Sequence, residues 1–276
     1  GYVRGLNKLS VPEGGGIRFN VMAEKNGLYN LSLAYSSEEE GNVSIYIDNT
    51  ARTLNRLVKT IRTEDTGDRW KNLSLTVFLK KGINTIDLDA DTDIAVDYLK
   101  VAPCVDVSDR VITIQAEDCL TSGSVETGTS PYADGNLFVK GIEASVGMVN
   151  KLEINVEIPE AGLYKMVIHH SNGELFGRHD YNAQLVDRFA TIKVNYEKPF
   201  NVFFRNTYSD DSFKTRTVDV KLRKGKNTIL IYNDDSRTVK CGVRTEGGIQ
   251  YENLVNRTPN FDKFEFYPAV LEEESL

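Results

Sequence analysis

Apolar and polar residues alternate with a period of two through much of this chain. The segments "NLSLAYS", "VSIYID", "LSLTVFL" and "TIDLDAD" follow that rule early on, and "LEINVEI", "ATIKVNY", "TVDVKL" and "TILIYND" follow it again later. Successive side chains of a strand point to opposite faces, so the alternation puts one row in a core and the other in water. Between these segments stand "EKNGLY", "KKGIN", "EAGLY" and "RKGKN", where glycine can take the positive φ that a tight turn demands. No stretch of a dozen residues has helical spacing with caps at both ends, and no βαβ rhythm is present. The pattern predicts an all-β protein of antiparallel sandwiches.

One phrase occurs twice. "KGINTIDLDAD", residues 81–91, returns as "KGKNTILIYND", residues 224–234, and the flanks return with it in the same order. "NGLYNLSLAYSS" from Asn26 matches "AGLYKMVIHHSN" from Ala161, "YVRGL" from Tyr2 matches "FVKGI" from Phe138, and "AVDYLKVAP" ending at Pro103 matches "NFDKFEFYP" ending at Pro268. Four blocks in one order predict two copies of one domain, that is, two tandem β-sandwich domains. The boundaries read as a first sandwich over 1–103, a short linker at 104–108, a second sandwich over 109–269 and a tail at 270–276.

The second copy is longer, with extra residues in "GELFGRHDYNAQLVDRF" and in "DSRTVKCGVRTEGGIQYENLVNRTPN". Insertions fall in loops, and long loops on a rigid scaffold tend to carry binding function. The second copy also opens with "VITIQAEDCL", predicted as a strand over Val111–Leu120, whose counterpart in the first copy would precede Gly1. A sandwich without an edge strand leaves backbone donors unpaired, so the chain is expected to be a piece of a longer polypeptide.

Length and composition narrow the function classes. A chain of 276 residues is long enough for two domains that each bury a core. The net charge of −7, with Lys and Arg dispersed among acids, argues against a nucleic-acid partner, which calls for a basic face. No apolar run approaches the ~20 residues of a membrane span. The three cysteines, Cys104, Cys119 and Cys241, form neither a disulfide framework nor a metal spacing, and Cys119 can meet Cys241 only if the first strand and last long loop of the second copy adjoin. His169 and His170, neighbours on a predicted strand, point to opposite faces and do not share a metal.

"IQAEDC" followed by "DGNLFVKGI", "VEIPEAGLYKMVIHHSN", "VDVKLRKGKNTILIYND" and "FDKFEFYP" resembles the carbohydrate-binding modules of families six and thirty-five. The resemblance covers nearly all of residues 111–268 and, more faintly, 2–103. It implies jelly-roll sandwiches without catalytic activity, extracellular or at the cell surface, attached to the catalytic domain of a glycan-active enzyme in the same polypeptide and binding polysaccharide or glycan. It also implies a structural calcium, with Gln115 and Glu117, two apart and so on one side of the predicted strand, as oxygen ligands and Asp262 supplying a carboxylate from the last strand. In the first copy only Asp97 survives of that set.

For the sugar the resemblance implies loops at one edge of the sandwich, with a ring for the apolar face of a pyranose and amides or acids for its hydroxyls. "RNTYSDDSF" offers Tyr208 and Phe213, "YND" offers Asn233 and Asp234, and Asn136 and Asn172 join them. Phe213 reads equally as a core ring. Trp70, the single Trp of the chain, stands in the first copy where Phe213 stands in the second, as structural support or as part of a second site. Two other readings are open: structural or adhesive sandwiches packing on a catalytic domain, and a glycoside hydrolase, which would need a carboxyl of raised pKa in a cleft that no motif announces.

Overall fold

The structure is a computed structural model that describes residues 16–47, 57–67, 69–104, 110–176, 184–235, 240–245, 248–253 and 256–268, with the backbone alone at 57, 176, 184 and 240–253. The chain divides into two compact units, with residues 16–104 in the first and 110–268 in the second. Almost all regular structure is strand, the exceptions among the described residues being short 3₁₀ turns. No helix among them is long and apolar enough to cross a membrane.

The first unit runs β1 (Gly16–Ala23), β2 (Gly27–Ser37), β3 (Gly41–Ile47), β4 (Leu57–Thr63), β5 (Lys71–Leu79), β6 (Gly82–Ala90) and β7 (Ile94–Pro103). They form two antiparallel sheets, β1-β6-β3-β4 and β5-β2-β7. The inward row of each sheet meets in one core of Leu31, Leu33, Val43, Ile45, Val77, Ile86 and Leu88.

The second unit runs β8 (Ile112–Gln115), β9 (Leu120–Ser122), β10 (Glu126–Thr129), β11 (Leu137–Lys140), β12 (Lys151–Ile158), β13 (Gly162–Ser171), β14 (Leu175–Phe176), β15 (Gln184–Leu185), β16 (Arg188–Val194), β17 (Phe200–Phe204), β18 (Lys214–Leu222), β19 (Gly225–Tyr232), β20 (Lys240–Thr245), β21 (Gly248–Asn253) and β22 (Asn260–Pro268). One sheet is β10-β11-β22-β13-β18 with β8 also paired to β22, and the other is β17-β16-β19-β12-β9. The insertions carry two small hairpins, β14-β15 and β20-β21. The core between the sheets holds Ile154, Met166, Ile168, Ile192, Phe204, Ile229, Phe261, Phe264 and Phe266. The two units are jelly-roll β-sandwiches, and the order β5-β2-β7 corresponds to β18-β13-β22 as β1-β6-β3-β4 does to β12-β19-β16-β17.

The twice-written phrase performs one job in both places. β5 and β6 lie in different sheets, as do β18 and β19, so "KGxN" is a corner between layers rather than a hairpin within one. Gly82 and Gly225 take the corner at φ +103° and +85°. Asn84, almost fully buried, donates to the carbonyls of Lys80 and Gly82 (2.8 and 3.1 Å) and accepts from the Lys80 N–H (3.0 Å). Asn227 repeats this with the carbonyls of Arg223 and Gly225 (2.7 and 2.9 Å) and the Arg223 N–H (3.0 Å). The "GLY" tyrosines match as well: Tyr29 donates its hydroxyl to Lys25 O (3.1 Å) and Tyr164 to Glu160 O (2.8 Å). Each side chain satisfies backbone groups that a corner would otherwise strand.

The strand predicted over Val111–Leu120 is interrupted. β8 stops at Gln115, Ala116–Asp118 form a 3₁₀ turn, and the chain re-enters structure as β9 on the opposite sheet. Alternation hid the break because Ala116 is buried and apolar, consistent with either conformation. Gln115 and Glu117 therefore do not share a strand face; whatever brings them together is the turn.

Candidate functional site

Strand register gathers the enlarged loops of the second unit at one rim. β17 and β19 both run antiparallel to β16, with Phe204 opposite Arg188 and Tyr232 opposite Thr191, so the C-terminal ends of β17 and β19 reach the same rim on either side of β16. The facing sheet reaches the same rim where Ser171 of β13 pairs with Asn260 of β22. Reciprocal bonds between the two loops hold the rim together: Asn172 N–H donates to Thr207 Oγ1 (2.8 Å) and Thr207 N–H to Asn172 O (2.8 Å).

Tyr208 stands on this rim 74% exposed, with its backbone in the left-handed region at φ +70°. For a bulky residue that conformation is strained and persists only where its surroundings enforce it. Here the Tyr208 N–H is held by Asn206 Oδ1 (2.7 Å), while Asn206 Nδ2 holds Glu174 O (2.6 Å). Glu174 pairs with Arg188, which is almost wholly buried, and with Arg257 (3.2 Å), so one carboxylate serves a core guanidinium and a surface one. Next to Arg257, Asn256 accepts from Asn233 Nδ2 (3.0 Å) and donates to Asp235 Oδ1 (2.7 Å). A continuous polar network thus runs from Tyr208 to the end of β19.

The residues singled out from sequence divide sharply in this geometry. Tyr208 and Asp234 are exposed on the rim. Asn233 and Asn172 lie beneath it, 0% and 3% exposed, and orient neighbours: Asn233 Oδ1 accepts the Asp235 N–H (2.9 Å), and Asn172 Nδ2 donates to Val186 O (2.6 Å). Asn136 sits apart in the turn before β11, at φ +64°, its N–H bonded to Ala133 O (3.1 Å). Phe213 is half-buried and packs edge-on against Phe138, ring centroids 5.8 Å apart. Glu174, Arg188, Asn206, Asn256 and Arg257 went unnoticed in sequence because loops carry no periodicity and their partners are remote in the chain.

Gly173 makes this arrangement possible. A Cβ built on it would lie 2.4 Å from the Asp210 backbone nitrogen and 2.7 Å from the Ser209 carbonyl carbon, both backbone atoms that cannot swing aside. The Gly173 N–H also donates to Asp210 Oδ1 (2.9 Å). Gly173→Ala is expected to lower stability by roughly 1–3 kcal/mol through overpacking and to increase hydrogen exchange over residues 205–213; unchanged exchange there would refute the contact.

The second candidate lies where two strands share one edge of β22. Gln115 of β8 is opposite Lys263 and Val139 of β11 is opposite Phe261, so Asp262 falls at the seam between them. Gln115 Nε2 donates to Asp134 Oδ2 (3.1 Å), which fixes the amide's orientation and leaves Oε1 buried without a hydrogen-bond partner. Glu117 Oε2 is likewise buried and unpartnered, and Asp262, 3% exposed, accepts the Asp134 N–H (2.9 Å).

Burial pushes the carboxyl of Asp262 above its usual range, and that of Glu117 too, with Asp118, Asp262 and Asp134 adding repulsion at Glu117. Asp134 is the exception, held below its usual range by hydrogen bonds from Lys263 and Gln115. Orphaned hard oxygens beside buried acids are a donor set that fits calcium. Among the described residues no three His, Cys, Asp or Glu side chains meet at metal-holding distance, so two carboxylates would act with the Gln115 amide oxygen and backbone carbonyls. In the first unit the corresponding Asp97 is exposed.

His169 and His170 do face opposite ways: His169 pairs with Glu265 (2.9 Å), whereas His170 packs in the interior on Phe204. Cys119 is a thiol 3.3 Å from Gln115 O, and the side chain of Cys241 lies outside the described residues, as does His179.

No family model matches the chain. It is 25% identical to a 3-O-β-L-arabinopyranosyl-α-L-arabinofuranosidase of Bifidobacterium pseudocatenulatum, over 94% of this chain and 28% of that protein. It is 24% identical to a 3-O-α-D-galactosyl-α-L-arabinofuranosidase of Bifidobacterium longum subsp. longum, over 96% and 24%. The chain thus spans about a quarter of the length of these curated relatives. Among solved structures, a family 35 carbohydrate-binding module from Clostridium thermocellum is 29% identical, covering 56% of this chain and 98% of its own, with a TM-score of 0.43. The resemblance to family six rests on sequence alone.

Proposed function

We propose that this chain is a non-catalytic carbohydrate-binding region of a larger, extracellular glycan-active enzyme, and that the loop rim of the second unit takes the sugar. The observation that carries this reading is Tyr208: an exposed ring on a left-handed backbone, clamped by Asn206 at one end of a hydrogen-bonded polar rim. An aromatic ring suits the apolar C–H face of a pyranose, while Asp234, Arg257 and Asn256 suit its hydroxyls. Holding these groups in advance lowers the entropy lost on binding. The curated relatives are named for removing 3-O-substituted arabinofuranose, so polysaccharide carrying arabinose and galactose is the ligand class to which such a region would hold its catalytic domain. Phe213 contributes by supporting the face beneath, and Asn233, Asn172 and Asn136 by shaping loops.

A structural calcium held by Gln115, Glu117 and Asp262 belongs to the same reading. It would supply positive charge to a seam where the chain leaves one sheet for the other, and so fix the 3₁₀ turn beside the rim.

Calorimetry with soluble arabinogalactan tests the sugar site. Loss of a charged hydrogen-bonding group in Asp234→Ala is expected to weaken binding by about 1.5–3 kcal/mol, roughly 10- to 150-fold, and Tyr208→Ala to weaken it as well. Wild-type affinity in both variants would move the site elsewhere. Release of reducing sugar by the pure chain, abolished by one carboxylate substitution, would make the region catalytic instead.

A further inference from the structure

The β-bulge that places Asp262 in the second unit has a twin in the first, used differently. In β22 the register slips between Ile168 and His170 of β13, so that Asp262 and Lys263 together stand opposite His169. In β7 it slips between Leu33 and Tyr35 of β2, so that Asp97 and Tyr98 stand opposite Ala34. A bulge re-aims the side chains at the slip. Where the second unit has a lysine at this point, the first has a tyrosine.

Tyr98 lies flat because of what it reaches. Its hydroxyl donates to Asn72 Oδ1 (3.1 Å), yet Tyr98 is on β7 and Asn72 on β5, with β2 between them. Neighbouring strands are roughly 4.8 Å apart, so the ring must extend across β2 to make the bond. The residue it crosses is Ala34, directly paired with Asn72, which is small and buried. One face of the ring is thus turned to the sheet, and the side chain is still 44% exposed.

Two residues before Asn72 stands Trp70, also 44% exposed. It occupies the position before β5 that Phe213 holds before β18. Two residues of strand span roughly 7 Å, so Trp70 stands within about one or two sugar lengths of the Asn72 that Tyr98 reaches. Between them the outward row of β2 and β7 is small, Ser36 pairing with Ala95 beside Ala34. The Asn72 carbonyl accepts from Tyr98, which leaves its Nδ2–H groups as donors, and Asp97 beside the ring is an exposed acceptor.

We propose that the outer face of β5-β2-β7 is a second sugar-stacking surface, with Tyr98 and Trp70 as its platform and Asn72 and Asp97 as its hydroxyl-binding groups. Its ligand is a stretch of neutral glycan: two rings on a shallow floor bind pyranose faces, and the carboxylate of Asp97 disfavours uronates. The surface is separate from the Tyr208 rim and binds whether or not that rim does.

Because Trp70 is the only tryptophan in the chain, its fluorescence reports on this surface alone. Titration with soluble arabinogalactan, β-1,3-galactan, mannan and dextran, with polygalacturonate as the acidic comparison, is expected to shift Trp70 emission to the blue and to reduce acrylamide quenching for a neutral polymer. The response should survive Tyr208→Ala, which separates it from the rim. Tyr98→Ala should weaken the response by about 2- to 10-fold, the range of one aromatic stacking contact. Tyr98→Phe keeps the ring and the fold but unties it from Asn72, and an intermediate loss is expected. Unchanged Trp70 quenching with every polymer, a response to polygalacturonate alone, or one abolished by Tyr208→Ala would each overturn the proposal.

Discussion

Calcium is expected to raise the melting temperature of the second unit, and chelator to lower it. At a free concentration a hundred times its Kd, a ligand that binds only the native state adds about 2.7 kcal/mol, roughly 5–10 °C for a domain of this size. The residues give the prediction its sign. Asp262 and Glu117 are carboxyls whose burial raises their pKa, so without a cation their negative charge opposes folding. Asp262→Asn and Glu117→Gln keep shape and acceptors while removing charge. Both variants should lose the calcium response, yet in chelator they should be as stable as the wild type or more so. A calcium shift that persists in both, or none in the wild type, would dissociate the orphaned oxygens of Gln115 and Glu117 from metal binding.

The second large effect concerns the repeated corners. Asn227→Ala is expected to destabilise the second unit by roughly 3 kcal/mol or more, because it strands the Arg223 N–H and the carbonyls of Arg223 and Gly225 in a place where Asn227 is 1% exposed. Asn195 Nδ2, which donates to Asn227 Oδ1 (2.9 Å), loses its acceptor too. Asn84→Ala does the same to the first unit, where the described residues show no equivalent of the Asn195 bond, so its loss should be somewhat smaller. Substitution by Asp is a sharper probe, since it keeps the acceptor but sets a carboxylate against two carbonyls. Calorimetry gives the size of each effect and peptide-level hydrogen exchange its place, in β6 or β19. Equal loss of protection in both units from either substitution would contradict a local cause.

Both experiments bear on how far a sequence can be read. The corner asparagines were legible as a repeated phrase, and their chemistry is local: an Asn two residues beyond a glycine reaches back four residues along its own chain. The tyrosines of "GLY" are of the same kind, bonding to a carbonyl four residues earlier. Asp262 was legible only through resemblance, and the reason offered for Gln115 and Glu117, a shared strand face, does not hold, since a 3₁₀ turn separates them. Alternation cannot register a strand that stops after a few residues and passes to the other sheet. Asn233 and Asn172 sit where strand ends were expected, but whether an amide at a strand end faces outward or supports its neighbour depends on loops hundreds of atoms away in the chain.

The sequence by itself determined the all-β class, the paired organisation and the inward rows of the core, because period-two alternation and glycine turns are properties of neighbouring residues. Only the tertiary structure decided which side chains are exposed where strands end. Tyr208 is exposed because Asn206 clamps a left-handed backbone, and Phe213 is covered because Phe138, 75 positions earlier in the chain, leans on it. Tyr98 lies across β2 because a bulge in β7 points it at Asn72. The contacts of Phe213 and Tyr98 join segments far apart in sequence, and the Asn206 clamp is itself anchored on Glu174 O, 32 positions earlier; all depend on register between strands, and register is fixed only when two sheets close on a common core.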